Sequence, residues 1–186
     1  MTDSERTVDP QRVFLTGEPG CGKTTVLSRA TEMLVLRGVK VGGMMSSDFR
    51  KGGTRAGFSI ENIMTHEKGV LASVDGGKGP RVGRYTVNIH DLEEVGAAAI
   101  TRATEDADVI LIDELGPMEL YSSRFIESVK AALDSRKHIL GTLHKRASHP
   151  LILQVKSNPR SVIINVTNKD REELPVRIVK RIIGVI

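Results

Sequence analysis

Apolar positions along this chain follow two different periods. Short runs of apolar and β-branched residues, the pattern of strands buried on both faces, occupy residues 12–16, 109–112, 138–144 and 161–166. Segments with apolar side chains at helical spacing lie between and after these runs, at residues 24–37, 91–106, 123–133, 150–157 and 170–183. Strands that alternate with helices predict an α/β fold in which a mostly parallel sheet is covered by helices. In such sheets, ligands bind at the C-terminal ends of the strands.

Residues 39–89 interrupt this alternation. Short strand patterns at 54–63, 69–74 and 85–89 are separated by turn-forming residues, which predicts a β-meander added to the main sheet. Asp91 is followed three residues later by Glu94, as in a capping box, so the next helix is expected to begin there.

The domain organisation follows from length and from the polarity of the N-terminus. Residues 1–11 are polar and charged, which predicts a flexible N-terminal tail. Residues 12–186 are expected to form a single domain with 39–89 as a β-rich insertion, since domains of ~100–200 residues are usual. The chain is 39% hydrophobic but only 3% aromatic, so its core must be aliphatic.

Charge and cysteine content narrow the classes of partner. A formal charge of +4 suits an anionic ligand such as a nucleotide. The same charge allows binding of nucleic acid, but few aromatic residues are present to stack on bases, so a nucleic-acid partner is not favoured. The single cysteine, Cys21, cannot form an internal disulfide, which favours a cytoplasmic location. No apolar run approaches the roughly 18 residues of a membrane span, so no membrane partner is expected.

The strongest motif is the run Gly17-Glu18-Pro19-Gly20-Cys21-Gly22-Lys23-Thr24, which fits the P-loop pattern G-x-x-x-x-G-K-[ST] without a mismatch. It lies between a predicted strand and a predicted helix, as a P-loop should. The backbone N–H groups of such a loop form a nest for phosphate oxygens. Lys23 is expected to contact the β- and γ-phosphates during catalysis, and the Thr24 hydroxyl to bind Mg²⁺.

A second acidic motif closes the apolar run 109–112. Asp113, directly after this run, is placed like a Walker B aspartate and is expected to hold Mg²⁺ through water, opposite Thr24. Glu114 is placed to accept a proton from an attacking water, or to orient that water. The alternative for Glu114 is a surface carboxylate or an ion-pair partner.

These motifs carry a resemblance that covers essentially the whole chain after residue 11. The P-loop through Thr25, together with Ile112-Asp113-Glu114-Leu115-Gly116-Pro117-Met118-Glu119-Leu120 and with Arg55-Ala56-Gly57-Phe58 after Gly53, resembles the THEP-type, or cancer-related, nucleoside-triphosphatases. The resemblance implies a three-layer, RecA-like P-loop fold and slow, magnesium-dependent hydrolysis of several nucleoside triphosphates. It also implies that residues 17–24 form one nucleotide-binding segment, and that a second consists of Val109, Ile110, Leu111, Ile112, Asp113, Glu114, Leu115 and Gly116.

Other functions remain open on the residues alone. One alternative is a nucleotide or nucleoside kinase on the same fold, in which an acceptor hydroxyl takes the place of water. Another is a nucleotide-gated RNA- or DNA-binding protein, in which the net positive charge of the chain attracts the nucleic acid. Asn168-Lys169-Asp170 is close to a guanine-reading motif, but its aspartate comes one residue early, which favours a helix start. Hence loose base choice among ATP, GTP, CTP and UTP is expected. Arg55 is the best candidate for a charge-stabilising arginine. Among the histidines, His144 is the one that could face the γ-phosphate, and the alternative for it is a packed or solvated histidine at a strand end.

Overall fold

The structure is a computed structural model that describes residues 10–184, so most of the predicted tail lies outside it. The strands are β1 (Arg12–Thr16), β2 (Val41–Lys51), β3 (Thr54–Asn62), β4 (Lys68–Ser73), β5 (Arg81–Val82), β6 (Tyr85–Val87), β7 (Val109–Leu115), β8 (His138–Leu143) and β9 (Ser161–Asn165). The helices are α1 (Lys23–Val35), α2 (Ile89–Asp91), α3 (Ala98–Asp106), α4 (Ser123–Asp134), α5 (Pro150–Ser157) and α6 (Leu174–Ile183). A π-helical segment, Leu92–Ala97, joins α2 to α3, and a 3₁₀ turn, Glu119–Tyr121, precedes α4.

Within residues 10–184, nine strands form one mixed sheet in the order β5-β6-β4-β3-β2-β7-β8-β1-β9. The strands from β2 to β9 in this order pair in parallel, and β3, β4, β6 and β5 extend the sheet with antiparallel pairs. The predicted α/β class is therefore confirmed. Because β8 lies between β7 and β1, residues from all three strand ends meet at one edge of the sheet.

Alternation along the central strands divides the interior into two cores. Val109 and Leu111 pack with Val13 and Leu15 of β1 and with α1 and α6, whereas Ile110 and Ile112 pack on the opposite face with Phe14, α3 and α4. This division follows from the two-residue period of a strand, in which successive side chains point to opposite faces. Asp113 continues the parity of Leu111, so the strand directs it toward the face covered by α1.

Strand β2 was missed by the sequence patterns. Its first residues are rich in glycine and lack the run of β-branched residues that is typical of a buried strand. One of these glycines is nevertheless required for β2 to pair with β7. Gly43 has φ +118°, and a Cβ there would lie only 2.1 Å from the Leu111 carbonyl oxygen of the neighbouring strand. Only glycine permits the two backbones to approach so closely.

The predicted capping box is wrong, because the helix begins earlier. Asn88 is the N-cap, and its side chain accepts a hydrogen bond from the Asp91 N–H at 3.1 Å. The Asp91 carboxylate instead accepts from the Val70 N–H at 2.7 Å, and Glu94 pairs with Arg124. Asp91 therefore ties the helix to the meander, a long-range contact that the local pattern cannot show.

Two helix ends also differ from their predicted positions. The first helix ends at Val35, and Gly38 adopts φ +78° shortly after it. The last helix begins at Leu174 and not at residue 170, with Pro175 in its first turn. In the part of the chain that the structure covers, no helix is both long and apolar enough to cross a membrane.

Candidate functional site

The loop between β1 and α1 has the backbone that an anion nest requires. Gly17, Gly20 and Gly22 adopt φ values of +147°, +78° and +100°. A Cβ on Gly17 would lie 2.8 Å from Cys21 Sγ and 2.9 Å from the Val166 carbonyl oxygen, so a side chain would not fit. No side chain caps α1 at Gly22, which leaves the first backbone N–H groups of the helix available to an anion.

Lys23 begins α1 and folds back over this loop. Its Nζ donates a hydrogen bond to the Gly17 carbonyl oxygen at 3.4 Å. The same ammonium group acts electrostatically on the carboxylates at the end of β7. The structure thus brings Lys23 together with Asp113 and Glu114, as the two sequence motifs predicted.

Asp113 is the buried centre of the arrangement, with 2% of its surface exposed. The Thr142 hydroxyl donates to its Oδ1 at 2.6 Å, and the Thr24 hydroxyl donates to its Oδ2 at 3.2 Å. Burial raises the pKa of Asp113 to about 6, and the neighbouring Glu114 carboxylate adds to this rise, while the two hydroxyls and Lys23 oppose it. Asp113 therefore links the first turn of α1 to the ends of β7 and β8.

Glu114 occupies the next position and is only partly buried. Burial raises its pKa, and the positive charge of Lys23 opposes the rise. Within residues 10–184, no hydrogen bond or ion pair engages its carboxylate. Such a carboxylate is available to a substrate or to a water molecule.

The remaining residues of the second predicted segment lie inside the protein. Val109, Ile110, Leu111 and Ile112 have no exposed surface, so they position the strand end and present no surface to a ligand. Gly116 lies in the turn after β7, where its N–H donates to Glu119 Oε2 at 3.1 Å.

Three residues were not assigned a role from the sequence. Thr142 bonds Asp113, and Lys145, two residues after β8, donates to Glu18 of the P-loop at 2.6 Å. This contact holds the pKa of Glu18 below its usual value. Glu119 is 4% exposed, and burial raises its pKa to about 8. A single acid between Met118 and Leu120 is the signal that could have identified it as a buried carboxyl.

His144 follows β8, and its ring lies in the same part of the molecule. Burial lowers its pKa, and the charges of Lys23 and Arg146 lower it further. Its Nδ1 is buried, and no hydrogen-bond partner for it exists among the described residues. The neutral imidazole is thus close to the Lys23 charge, but it makes no specific contact there.

Two other predicted residues have structural partners elsewhere. Arg55 bonds Asp48 at 3.2 Å and lies 5.5 Å from the centre of the Phe58 ring, and in the described range no contact joins it to Lys23. Asp170 accepts from the Thr167 N–H at 2.9 Å and the Thr167 hydroxyl at 3.0 Å, within the turn that precedes α6. The stabilising role of Arg55 therefore stays a prediction.

A cavity of about 240 Å³ opens beside the P-loop, on the side of β9. It is lined by Glu18, Cys21, Lys145, Asn165, Val166, Thr167 and Asn168. Asp113 and Glu114 lie on the other side of the loop, because β8 and β7 follow β1 in that direction. The P-loop, with the two carboxylates on one side and the cavity on the other, is the candidate nucleotide cleft.

Comparison with known proteins places these features in a family context. A family model described as NTPase matches residues 12–179. The nucleoside-triphosphatase THEP1 of Thermofilum pendens is 45% identical over 174 residues, covering 93% of this chain and 96% of that protein. The nucleoside-triphosphatase THEP1 of Methanocaldococcus jannaschii is 41% identical over 173 residues, covering 93% and 98%.

Two solved structures share the fold. The crystal structure of THEP1 from Aquifex aeolicus matches with a TM-score of 0.79 and 29% identity, over 90% of this chain and 96% of that chain. The solution structure of a human cancer-related nucleoside triphosphatase matches with a TM-score of 0.76 and 34% identity, over 91% and 96%. In both comparisons the match extends over nearly the whole chain.

Proposed function

The chain belongs to the THEP1 nucleoside-triphosphatase family, and we propose that it hydrolyses ATP, GTP, CTP and UTP with Mg²⁺ to the diphosphate and inorganic phosphate. Membership makes it an enzyme, a hydrolase of nucleoside triphosphates. The observation that best supports the finer proposal is the contact of Thr24 and Thr142 with Asp113 beside the P-loop.

The donor set beside the P-loop fits magnesium. Thr24 and Asp113 offer a hydroxyl and a carboxylate oxygen 3.2 Å apart, and hard oxygen donors of this kind suit Mg²⁺. Mg²⁺ is usually held by one or two protein side chains and keeps several waters and the phosphates of its substrate, so these two donors suffice for it. Bound there, the ion would neutralise phosphate charge.

The residues around the loop would divide the remaining work. The backbone N–H groups of the P-loop and the N-terminus of α1 bind phosphate oxygens, and Lys23 adds a positive charge over the β- and γ-phosphates. Glu114, whose carboxylate has no protein partner in the described range, orients the attacking water and accepts its proton. Burial raises the pKa of Glu114, which makes its carboxylate a stronger base than a solvated glutamate.

We expect the enzyme to discriminate little between bases, because the cavity beside β9, where a base could lie, has no aromatic lining. Of the residues that line this cavity, none is aromatic, so no ring is present there to stack on a base. Binding energy would come mainly from the phosphates, which all nucleoside triphosphates share.

Phosphate release from ATP, GTP, CTP and UTP, with Mg²⁺ and with a chelator, tests the proposal. We expect metal-dependent release, with specificity constants within about two orders of magnitude, or ~3 kcal/mol in transition-state binding. A preference above ~10⁴-fold for one base would contradict loose base choice.

The same assay separates the alternative functions. Adding nucleosides and nucleotides as acceptors distinguishes hydrolysis from phosphoryl transfer, because a kinase would form a phosphorylated product. Adding RNA or DNA at several salt concentrations tests the binding alternative, which predicts a steep salt dependence.

A further inference from the structure

A buried carboxyl close to the site has no part in the proposed chemistry. Glu119 begins the 3₁₀ turn after β7 and is only 4% exposed. Its Oε2 accepts a hydrogen bond from the Gly116 N–H at 3.1 Å, and the Leu120 N–H donates to the Gly116 carbonyl oxygen at 3.3 Å. Both backbone polar groups of Gly116 are therefore hydrogen-bonded, its N–H to the Glu119 side chain and its carbonyl oxygen to the 3₁₀ turn.

Gly116 is the point where three titratable side chains converge. A Cβ built on this glycine would lie 3.1 Å from Glu119 Oε2, 3.5 Å from His144 Cβ and 3.7 Å from Glu114 Cγ. The Glu114 side chain thus borders the space beside Gly116, and Glu119 bonds the N–H of the same glycine. A shift of Gly116 would change the space available to Glu114.

We propose that Glu119 is a positioning residue for the hydrolysis proposed above: its carboxyl anchors the Gly116 amide and thereby holds Glu114 at the nucleotide cleft. The inference rests on that proposed function. A displacement of ~1 Å at a catalytic group can lower a rate by roughly 100-fold, so an anchor one step removed from Glu114 has a measurable effect.

The charge state of Glu119 agrees with this role. Because burial raises its pKa to about 8, the side chain is mostly protonated at neutral pH. It therefore anchors the turn without adding a third negative charge to those of Asp113 and Glu114. A neutral amide of the same shape should serve equally well, which makes glutamine the conservative replacement.

Two variants test the anchor. Glu119→Gln keeps an oxygen for the Gly116 N–H, whereas Glu119→Leu has a similar volume and no acceptor. For Glu119→Gln we expect kcat within ~3-fold of the parent, and for Glu119→Leu a kcat lowered by ~10–100-fold. The affinity of both variants for a non-hydrolysable triphosphate should stay close to that of the parent, because the P-loop is not altered.

Ser122→Ala is the matched control for simple loss of stability. Ser122 lies three residues after Glu119. Its hydroxyl caps α4 by accepting from the Phe125 N–H at 3.0 Å, and it also donates to the Glu93 carboxylate. Its replacement should lower the melting temperature but leave kcat unchanged. A parent-like kcat for Glu119→Leu would overturn the proposal. So would a parallel loss of affinity, kcat and melting temperature in Glu119→Leu.

Hydrogen exchange at the Gly116 amide distinguishes failure of the anchor from failure of the proposed function. Slow exchange in the parent and in Glu119→Gln, with faster exchange in Glu119→Leu, would support the anchor even if no nucleotide released phosphate. Equal exchange in all three proteins would overturn it, even if the parent hydrolysed every triphosphate tested.

Discussion

Replacing Glu119 by glutamine should stabilise the folded protein, increasingly so as the pH rises from 5 to 8. The pKa of this carboxyl is about 8 in the fold, against 4.5 for the ordinary group. Between these values the unfolded chain has lost the proton that the folded chain retains. The free energy of unfolding of the parent therefore falls as the pH rises through this window, and it levels off above the folded pKa.

The size of the effect follows from the difference in pKa. Each pKa unit is worth ~1.4 kcal/mol, so the whole window corresponds to ~5 kcal/mol, of which ~1 kcal/mol is lost by pH 5 and ~3 kcal/mol by pH 7. Glutamine does not titrate in either state. Its advantage over glutamate should therefore be about 2 kcal/mol larger at pH 7 than at pH 5.

Urea unfolding of parent and variant at pH 5, 6, 7 and 8 measures this difference. Glu127→Gln, the same substitution at an exposed position of α4, is the matched control. If the difference in unfolding free energy between Glu119→Gln and the parent is the same at every pH, Glu119 is not held protonated by burial.

Three further predictions concern the nucleotide cleft. Lys23→Ala should weaken binding of a non-hydrolysable triphosphate by ~10–100-fold, the worth of a hydrogen bond to a charged group. A binding titration measures this, with Lys130→Ala, at an exposed position, as the control; an unchanged affinity of Lys23→Ala would contradict the prediction. Asp113→Asn should raise the Mg²⁺ concentration for half-maximal phosphate release by ~10-fold, or about 1.4 kcal/mol, and superimposable magnesium curves would remove its metal role. Glu114→Gln should bind magnesium and triphosphate like the parent but turn over ~10²–10⁴-fold more slowly; if both properties stay near parent values, the base lies elsewhere, and His144 is the next to replace.

Local signals in the sequence determined the main elements of this protein. The P-loop requires three glycines, a lysine and a threonine at set spacing, because the backbone must turn tightly and expose its N–H groups. A run of four apolar residues, followed directly by Asp113, marks a strand that is covered on both faces. Both properties belong to contiguous residues, so they could be predicted before any contact was known.

Contacts between distant parts of the chain decided the rest. Thr24 and Asp113 are 89 positions apart, and their hydrogen bond exists because only β8 separates β7 from β1, which leads into the P-loop and α1. The same strand order brings Thr142 to Asp113. The sequence places Thr142 near the C-terminal end of a strand, but it does not show which residue its hydroxyl contacts.

Two polar side chains have partners that could not be predicted for the same reason. Arg55 bonds Asp48 on the neighbouring strand, and Asp91 bonds the Val70 backbone of the meander, so each polar group is satisfied by a partner that sequence spacing does not reveal. The glycines of β2 appear unsuited to a strand until Leu111 of β7 lies against Gly43. A local pattern records what a residue can do alone, whereas burial, charge and close approach depend on which other residues the fold brings within a few ångströms of it.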